Sequence, residues 1–151
     1  MNTETLLQLR DEIKIDEGYK NEIYICSANK ATVGVGHMIL ESDPEYGLEV
    51  GTHVDDERVS ELFDQDIKTT LNECTLLYDD FYTLPDEAQK IIANMMFNIG
   101  RPRLSKFKKM KEAVDNRDWV EASNQMMDSR WYKQVPNRAE RLVQRMKAIQ
   151  I

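Results

Sequence analysis

Glu17 is the residue from which a chemical reading starts. It closes a stretch of helical periodicity and is followed at once by Gly18. A carboxyl at a helix C-terminus meets the negative end of the helix dipole, which disfavours its ionised form. A carboxylic acid kept protonated near neutral pH can protonate a leaving oxygen. Taken alone, Glu17 is one of 27 acidic residues, most of which are plain surface charges. It does not stand alone. Eight residues separate it from Cys26, five more lead to Thr32, and Gly34, Gly36 and His37 follow. A thiol, a hydroxyl and a carboxyl are thus spaced along one short stretch. The ordinary fate of a single cysteine is a small inert core residue, and Cys74 is read that way.

The elements that must position these groups are legible from periodicity. Leu6, Leu9 and Ile13 recur at helical spacing over Thr3 to Glu17, with Leu7 widening the stripe. Ile23-Tyr24-Ile25 and Ala31 to Gly36 are short and β-prone, with a turn-like Ser27 to Lys30 between them, which predicts a hairpin. Pro44, Gly47 and Gly51 mark an irregular segment. Asp55 can cap a helix whose stripe is Val59, Leu62, Phe63, Ile67 and Leu71. Pro85 to Ile99 is apolar nearly all round and stops at Gly100, the pattern of a helix buried mid-domain. Ser105 to Val114, Arg117 to Met127 and Pro136 to Ala148 give three more amphipathic helices. The expected fold is α+β and mostly helical: a small N-terminal β-hairpin lobe and a larger helical C-terminal lobe separated by a cleft.

Length and composition set the bounds. A chain of 151 residues favours one domain, with 41% hydrophobic and 31% charged side chains giving a globular balance. No apolar run approaches the ~20 residues of a membrane span, and the N-terminus lacks a signal-peptide core, so neither membrane insertion nor export is expected. Two cysteines do not make a disulfide scaffold. The net charge of −7 argues against a nucleic-acid partner. That figure hides an asymmetry: residues 1–100 carry −14 and residues 101–151 carry +7. Two solvated faces are the bland account of this, and an acidic partner for the basic third is the sharper one. Gly34 and Gly36 read as hairpin residues, because no helix follows them as in a phosphate loop. His37 and His53 are too isolated for a metal site. The methionines, among them Met95, Met96, Met110, Met126 and Met127, read as adaptable core filling. Trp131 and Tyr132 read as packing of the C-terminal lobe.

Three blocks of residues carry a likeness that periodicity could not supply. They are Ile15 to Tyr19 with Ile23-Tyr24 and Thr32 to His37, then Asn94 to Gly100, then Ser129 to Tyr132 with Gln134 and Pro136 to Ala139. Together, in this order, they resemble the phage-type lysozymes, glycoside hydrolase family 24. The likeness spans about Leu6 to Lys147. It implies a single domain over 1–151, with a small lobe over about 15–60, a helical lobe over about 1–14 and 75–151, and a linking helix over about 55–73. It also implies roles. Glu17 aligns with the general acid, Cys26 with the second catalytic position, and Thr32 with a hydroxyl that helps hold the attacking water. His37 and Asp66 align with a structural ion pair. Arg138 aligns with a basic residue that pairs with the catalytic Glu. Met38, Phe97, Met110 and Gln125 align with positions that touch the sugar chain, and Arg138 is counted with them as substrate-binding.

Cys26 is the departure, since many members carry Asp there. An Asp is an anion that can accept a proton from water. A free thiol is largely neutral at pH 7, with a pKa near ~8.5. A thiolate, a hydrogen-bonding group that orients water, and a nucleophile all remain open for it. The resemblance implies an endolysin, a muramidase cutting the β-1,4 bond between N-acetylmuramic acid and N-acetylglucosamine in peptidoglycan. It would act as a monomer without metal or cofactor. It would accumulate in the host cytoplasm and need a holin to reach the wall. A non-catalytic wall-binding or virion module, and a lytic transglycosylase, are the alternatives.

Overall fold

A computed structural model describes residues 1–150. In chain order it contains α1 (Thr3–Glu17), β1 (Lys20–Ile25), β2 (Ala31–Gly34), β3 (His37–Met38), α2 (Asp56–Leu77), α3 (Asp86–Leu104), α4 (Lys108–Asp115), α5 (Trp119–Met127), α6 (Arg130–Gln134) and α7 (Pro136–Lys147). A 3₁₀ turn lies at Phe81–Thr83. The expected mostly helical α+β class is what forms. The chain divides into two compact units, one of Arg10–Thr69 and one of Met1–Leu9 with the chain from Thr70 onward.

The unit Arg10–Thr69 is built on a three-stranded antiparallel sheet in the order β1-β2-β3. Tyr24 pairs with Thr32, and Thr32 with Met38. Ile23, Val33 and Val35 bury their side chains with Ile13 of α1 and Val59, Leu62, Phe63 and Ile67 of α2. Burying each such side chain contributes roughly 1.5–3 kcal/mol, which a bare hairpin could not gather by itself. β3 was not expected, and at two residues it is too short for any period to show. On α1 the buried face is Thr5, Leu9 and Ile13, whereas Leu7 is exposed, so the stripe is narrower than expected. Asn2 Oδ1 accepts from the Thr5 amide at 2.8 Å, which satisfies one free donor of the first turn.

The second unit packs Tyr78, Phe81, Ile91, Ile92, Met95, Leu104, Met110, Trp131, Leu142 and Met146 into its core. α3 leaves helical geometry at Gly100 (φ 79°, ψ 163°), the expected stop, and one more helical turn follows around Pro102. α4 begins at Lys108 rather than Ser105, because the amides of Lys106 and Phe107 turn back onto Arg103 and Leu104. α5 begins at Trp119, capped by Asp118, whose side chain accepts from the Glu121 amide at 3.1 Å. Cys74 is fully buried, and burial pushes its thiol pKa far up. Among the described residues no helix is long and apolar enough to cross a membrane.

Candidate active site

Glu17 is the last residue of α1, and its side chain is half-buried. Gly18 follows with φ +82°, a left-handed conformation in which glycine carries no Cβ penalty. Gly36, φ +64°, lies directly against the Glu17 carboxyl. A Cβ placed on Gly36 would stand 2.6 Å from Glu17 Oε1 and 3.2 Å from Glu17 Cβ. The backbone therefore approaches the carboxyl so closely that only hydrogen fits between them. Periodicity marked Gly36 only as a hairpin residue. Its closeness to Glu17 is a contact between β2–β3 and α1 that no local pattern records.

Cys26 begins the turn that joins β1 to β2. Its amide donates to the Lys30 carbonyl at 3.0 Å, and its carbonyl accepts from the Asn29 amide at 2.8 Å. Asn29 holds φ +60°, a strained position that asparagine tolerates better than most residues. The half-buried Cys26 thiol is drawn below its ordinary pKa. The Thr32 hydroxyl is the main cause, burial opposes it, and backbone contacts at Lys30, Ala28 and Cys26 add to it. Thr32 itself is buried, and its hydroxyl donates to the Lys30 carbonyl at 2.9 Å. Tyr24, across from Thr32, has its pKa raised by burial first and then by the negative fields of Cys26 and Glu17. Tyr24 thus shares this site electrostatically, and Lys20 Nζ stands 4.4 Å over its ring. It drew no role from the sequence because an aromatic on a strand is ordinary.

His37 bonds carboxylates through both ring nitrogens: Nδ1 to Asp66 Oδ2 and Nε2 to Asp43 Oδ2, each at 2.7 Å. Both nitrogens can donate only in the imidazolium form. Burial is the largest single influence and pulls its pKa down, but the bonds and charges of Asp66 and Asp43 together outweigh it and raise the pKa. The expected His37–Asp66 pair is present, and Asp43 is an addition. Arg58 extends the cluster, with Nε to Glu45 at 2.9 Å and Nη1 to Glu61 at 2.6 Å.

In the second unit the two later sequence blocks hydrogen-bond to each other. Trp131 Nε1 donates to Asn98 Oδ1 at 2.8 Å. Arg138 Nε donates to Oδ1 of the fully buried Asn94, also at 2.8 Å. Ser129 caps α6 by accepting from the Tyr132 amide. Phe97 and Gln125 are half-buried, and Gln125 Nε2 donates to Glu121 at 3.2 Å. Met38, in the other unit, is 50% exposed. The Met110 side chain is fully buried and lies at the base of a 370 Å³ cavity that Lys106, Lys108, Lys109 and Gln125 also line. Among the described residues no group of three or more His, Cys, Asp or Glu side chains is placed to hold a metal ion.

Comparison with known proteins adds to this geometry. The family model described as Phage lysozyme matches residues 14–148. A protein named Probable T4-type lysozyme 2, of Dictyostelium discoideum, is 29% identical over 154 aligned positions, covering 89% of this chain and 91% of that protein. Peptidoglycan hydrolase gp36 of Pseudomonas phage phiKMV is 28% identical over 91% of this chain, which corresponds to 15% of its own length. Pre-baseplate central spike protein Gp5 of Enterobacteria phage T4 is 22% identical over 90% of this chain and 27% of its own.

Proposed function

The chain belongs to the phage lysozyme family, and on that premise we propose that it is a muramidase. It is a lysozyme-type peptidoglycan hydrolase, and the finer reading is cleavage of the β-1,4 bond between N-acetylmuramic acid and N-acetylglucosamine. The carrying observation is the Glu17 carboxyl, fixed at the end of α1 against the bare backbone of Gly36. In this reading Glu17 protonates the glycosidic oxygen as the sugar–oxygen bond breaks. Water supplies the new oxygen on the sugar, with Cys26 and the Thr32 hydroxyl holding it. The Thr32 hydroxyl draws the Cys26 thiol pKa down, which supports a part for Cys26 beside Thr32 at the site. Met38, Phe97, Gln125 and Arg138 are proposed to contact the glycan chain. Met110, which lines the same cavity as Gln125, is proposed with them.

The test is Glu17→Gln, which keeps the shape and removes the acidic proton. Wall hydrolysis should be abolished with the fold intact, and retained full activity would sink the assignment. Mass spectrometry of the products separates hydrolysis, which adds one water, from a transglycosylase reaction, which adds none. The biological reading is lysis of a bacterial host by a phage, with the enzyme held in the cytoplasm as a monomer until a holin admits it to the wall.

A second reading is favoured by one observation, the thiol at position 26. A lysozyme fold without a second carboxylate could serve as a wall-binding or virion module, and one relative is named a spike protein. Clearing of permeabilised cells supports the enzyme. Saturable sedimentation with purified wall, without clearing, supports the module.

A further inference from the structure

Helix α2 holds the chain on both flanks of Glu17. On one flank, Asp66 grips His37, the residue after Gly36. On the other, Asp56 grips Tyr19 and Asn21, the second and fourth residues after Glu17. Tyr19 Oη and Asn21 Nδ2 both donate to the same oxygen, Asp56 Oδ1, each at 2.5 Å. Asp56 and Asp66 lie ten residues apart, about 15 Å along one helix. They are two fixed points on a rigid rod.

The grip at Asp56 matters because of what lies between it and Glu17. Gly18 has φ +82° and no heavy atom within 4 Å of the place its Cβ would take, so it is a permissive joint. The helix itself ends at Glu17, with the Gly18 amide closing onto the Lys14 carbonyl at 2.9 Å. Buried Leu9 and Ile13 hold the body of α1 and Gly36 abuts Glu17, and a further hold on this end comes from beyond the joint. Tyr19 supplies it twice. Its ring lies under Lys14 Nζ at 5.1 Å, back on the last turn of α1, and its hydroxyl is held on the first turn of α2.

We propose that Asp56 is a positioning residue for Glu17: by holding Tyr19 and Asn21 on one oxygen, it fixes the exit of α1 and so the place of the carboxyl. This rests on Glu17 being the general acid. Asp56 touches no substrate in this account. Its effect travels through Tyr19 and the joint at Gly18.

Steady-state kinetics on purified peptidoglycan test it, with folding checked by circular dichroism. Because misplacing a catalytic group by ~1 Å costs up to ~100-fold, Asp56→Ala should lower kcat about 10-fold with KM within about twofold. Asp56→Asn should restore most of the rate, since its amide oxygen can take both bonds at the same position. Wild-type kcat in Asp56→Ala overturns the proposal. So does Asp56→Asn as slow as Asp56→Ala, because the charge and not the tether would then be the agent. Tyr19→Phe should slow kcat in the same direction, and adding it to Asp56→Ala should cost less than the two losses multiplied; independent losses overturn the proposal. If Asp56→Ala does not fold, Tyr19→Phe carries the test, with a wild-type kcat again refuting. Glu17→Gln, assayed alongside, separates the failures: an active Glu17→Gln sinks the general-acid reading, whereas an inactive one beside a normal Asp56→Ala sinks only the role of Asp56.

Discussion

Gly36→Ala isolates the closest approach in the site. Two costs follow from the geometry. The backbone at φ +64° is left-handed, and an L-residue there costs about 1–2 kcal/mol. The new Cβ would lie 2.6 Å from Glu17 Oε1, where ordinary contact begins at 3.4 Å, so the carboxyl must retreat by about 0.8 Å. Displacement of that size in a reacting group is expected to lower kcat roughly 10- to 100-fold with little change in KM. Gly34→Ala is the built-in control. Its φ of +68° carries nearly the same backbone cost, but its Cβ meets Val59 Cγ1 at 2.9 Å and not Glu17. Both variants should lose a few degrees of melting temperature. Only Gly36→Ala should lose rate out of proportion. The assay is peptidoglycan clearing with kcat and KM resolved, and thermal melts run in parallel. A Gly36→Ala enzyme with wild-type kcat, or equal kcat losses in both variants, would refute the reasoning.

Three further outcomes are expected. His37→Asn should destabilise the protein by on the order of 3 kcal/mol, because it removes the imidazolium that bonds both Asp43 and Asp66 and leaves Arg58, 4.0 Å from Asp43, as a partial substitute. The His37 pKa is raised on folding, so its contribution is fully present below the ordinary histidine value and fades as pH rises through the higher folded value. The Asp43 pKa is lowered, with burial opposing and the Leu40 amide and His37 prevailing, so its share fades instead as pH falls below the ordinary aspartate range. Urea titrations of wild type and His37→Asn should therefore differ most near pH 5 and converge on the alkaline side; a difference that grows with pH is the refuting result. Iodoacetamide near neutral pH should alkylate Cys26 and not Cys74, with loss of clearing activity. Intact mass and peptide mapping read this out, and comparable labelling of Cys74 contradicts it. Cys26→Ala with the full wild-type rate would remove Cys26 from the mechanism. The wall rate should fall with rising salt, because screening weakens exposed contacts between the basic C-terminal third and wall carboxylates, and a salt-independent rate counts against that contact.

Much of the fold was legible because it rests on local period. Leu9 and Ile13, or Val59, Leu62, Phe63 and Ile67, recur as a helix face must, and these residues are buried. Gly18 marks the end of α1 and Gly100 the break in α3, and both take positive φ. The misses share a cause. β3 and α6 are too short to display a period, and Leu7 lies just off the buried face.

The sequence by itself determined the α+β class, the order of the longer elements and the spacing that puts Glu17, Cys26 and Thr32 on one short stretch, which are properties of neighbouring residues and of periods of two and 3.6; the family came from the resemblance of three residue blocks. Only the tertiary structure decided that Gly36 abuts the Glu17 carboxyl, that Thr32 modulates the Cys26 thiol, that His37 is held by two carboxylates, and that Asp56 gathers Tyr19 and Asn21 on one oxygen. Asp56 lies 37 residues from Tyr19, and Asp66 lies 29 from His37. Contacts at such separations are set by how α2 packs on the sheet, and that packing is a sum over the whole core which no local pattern encodes.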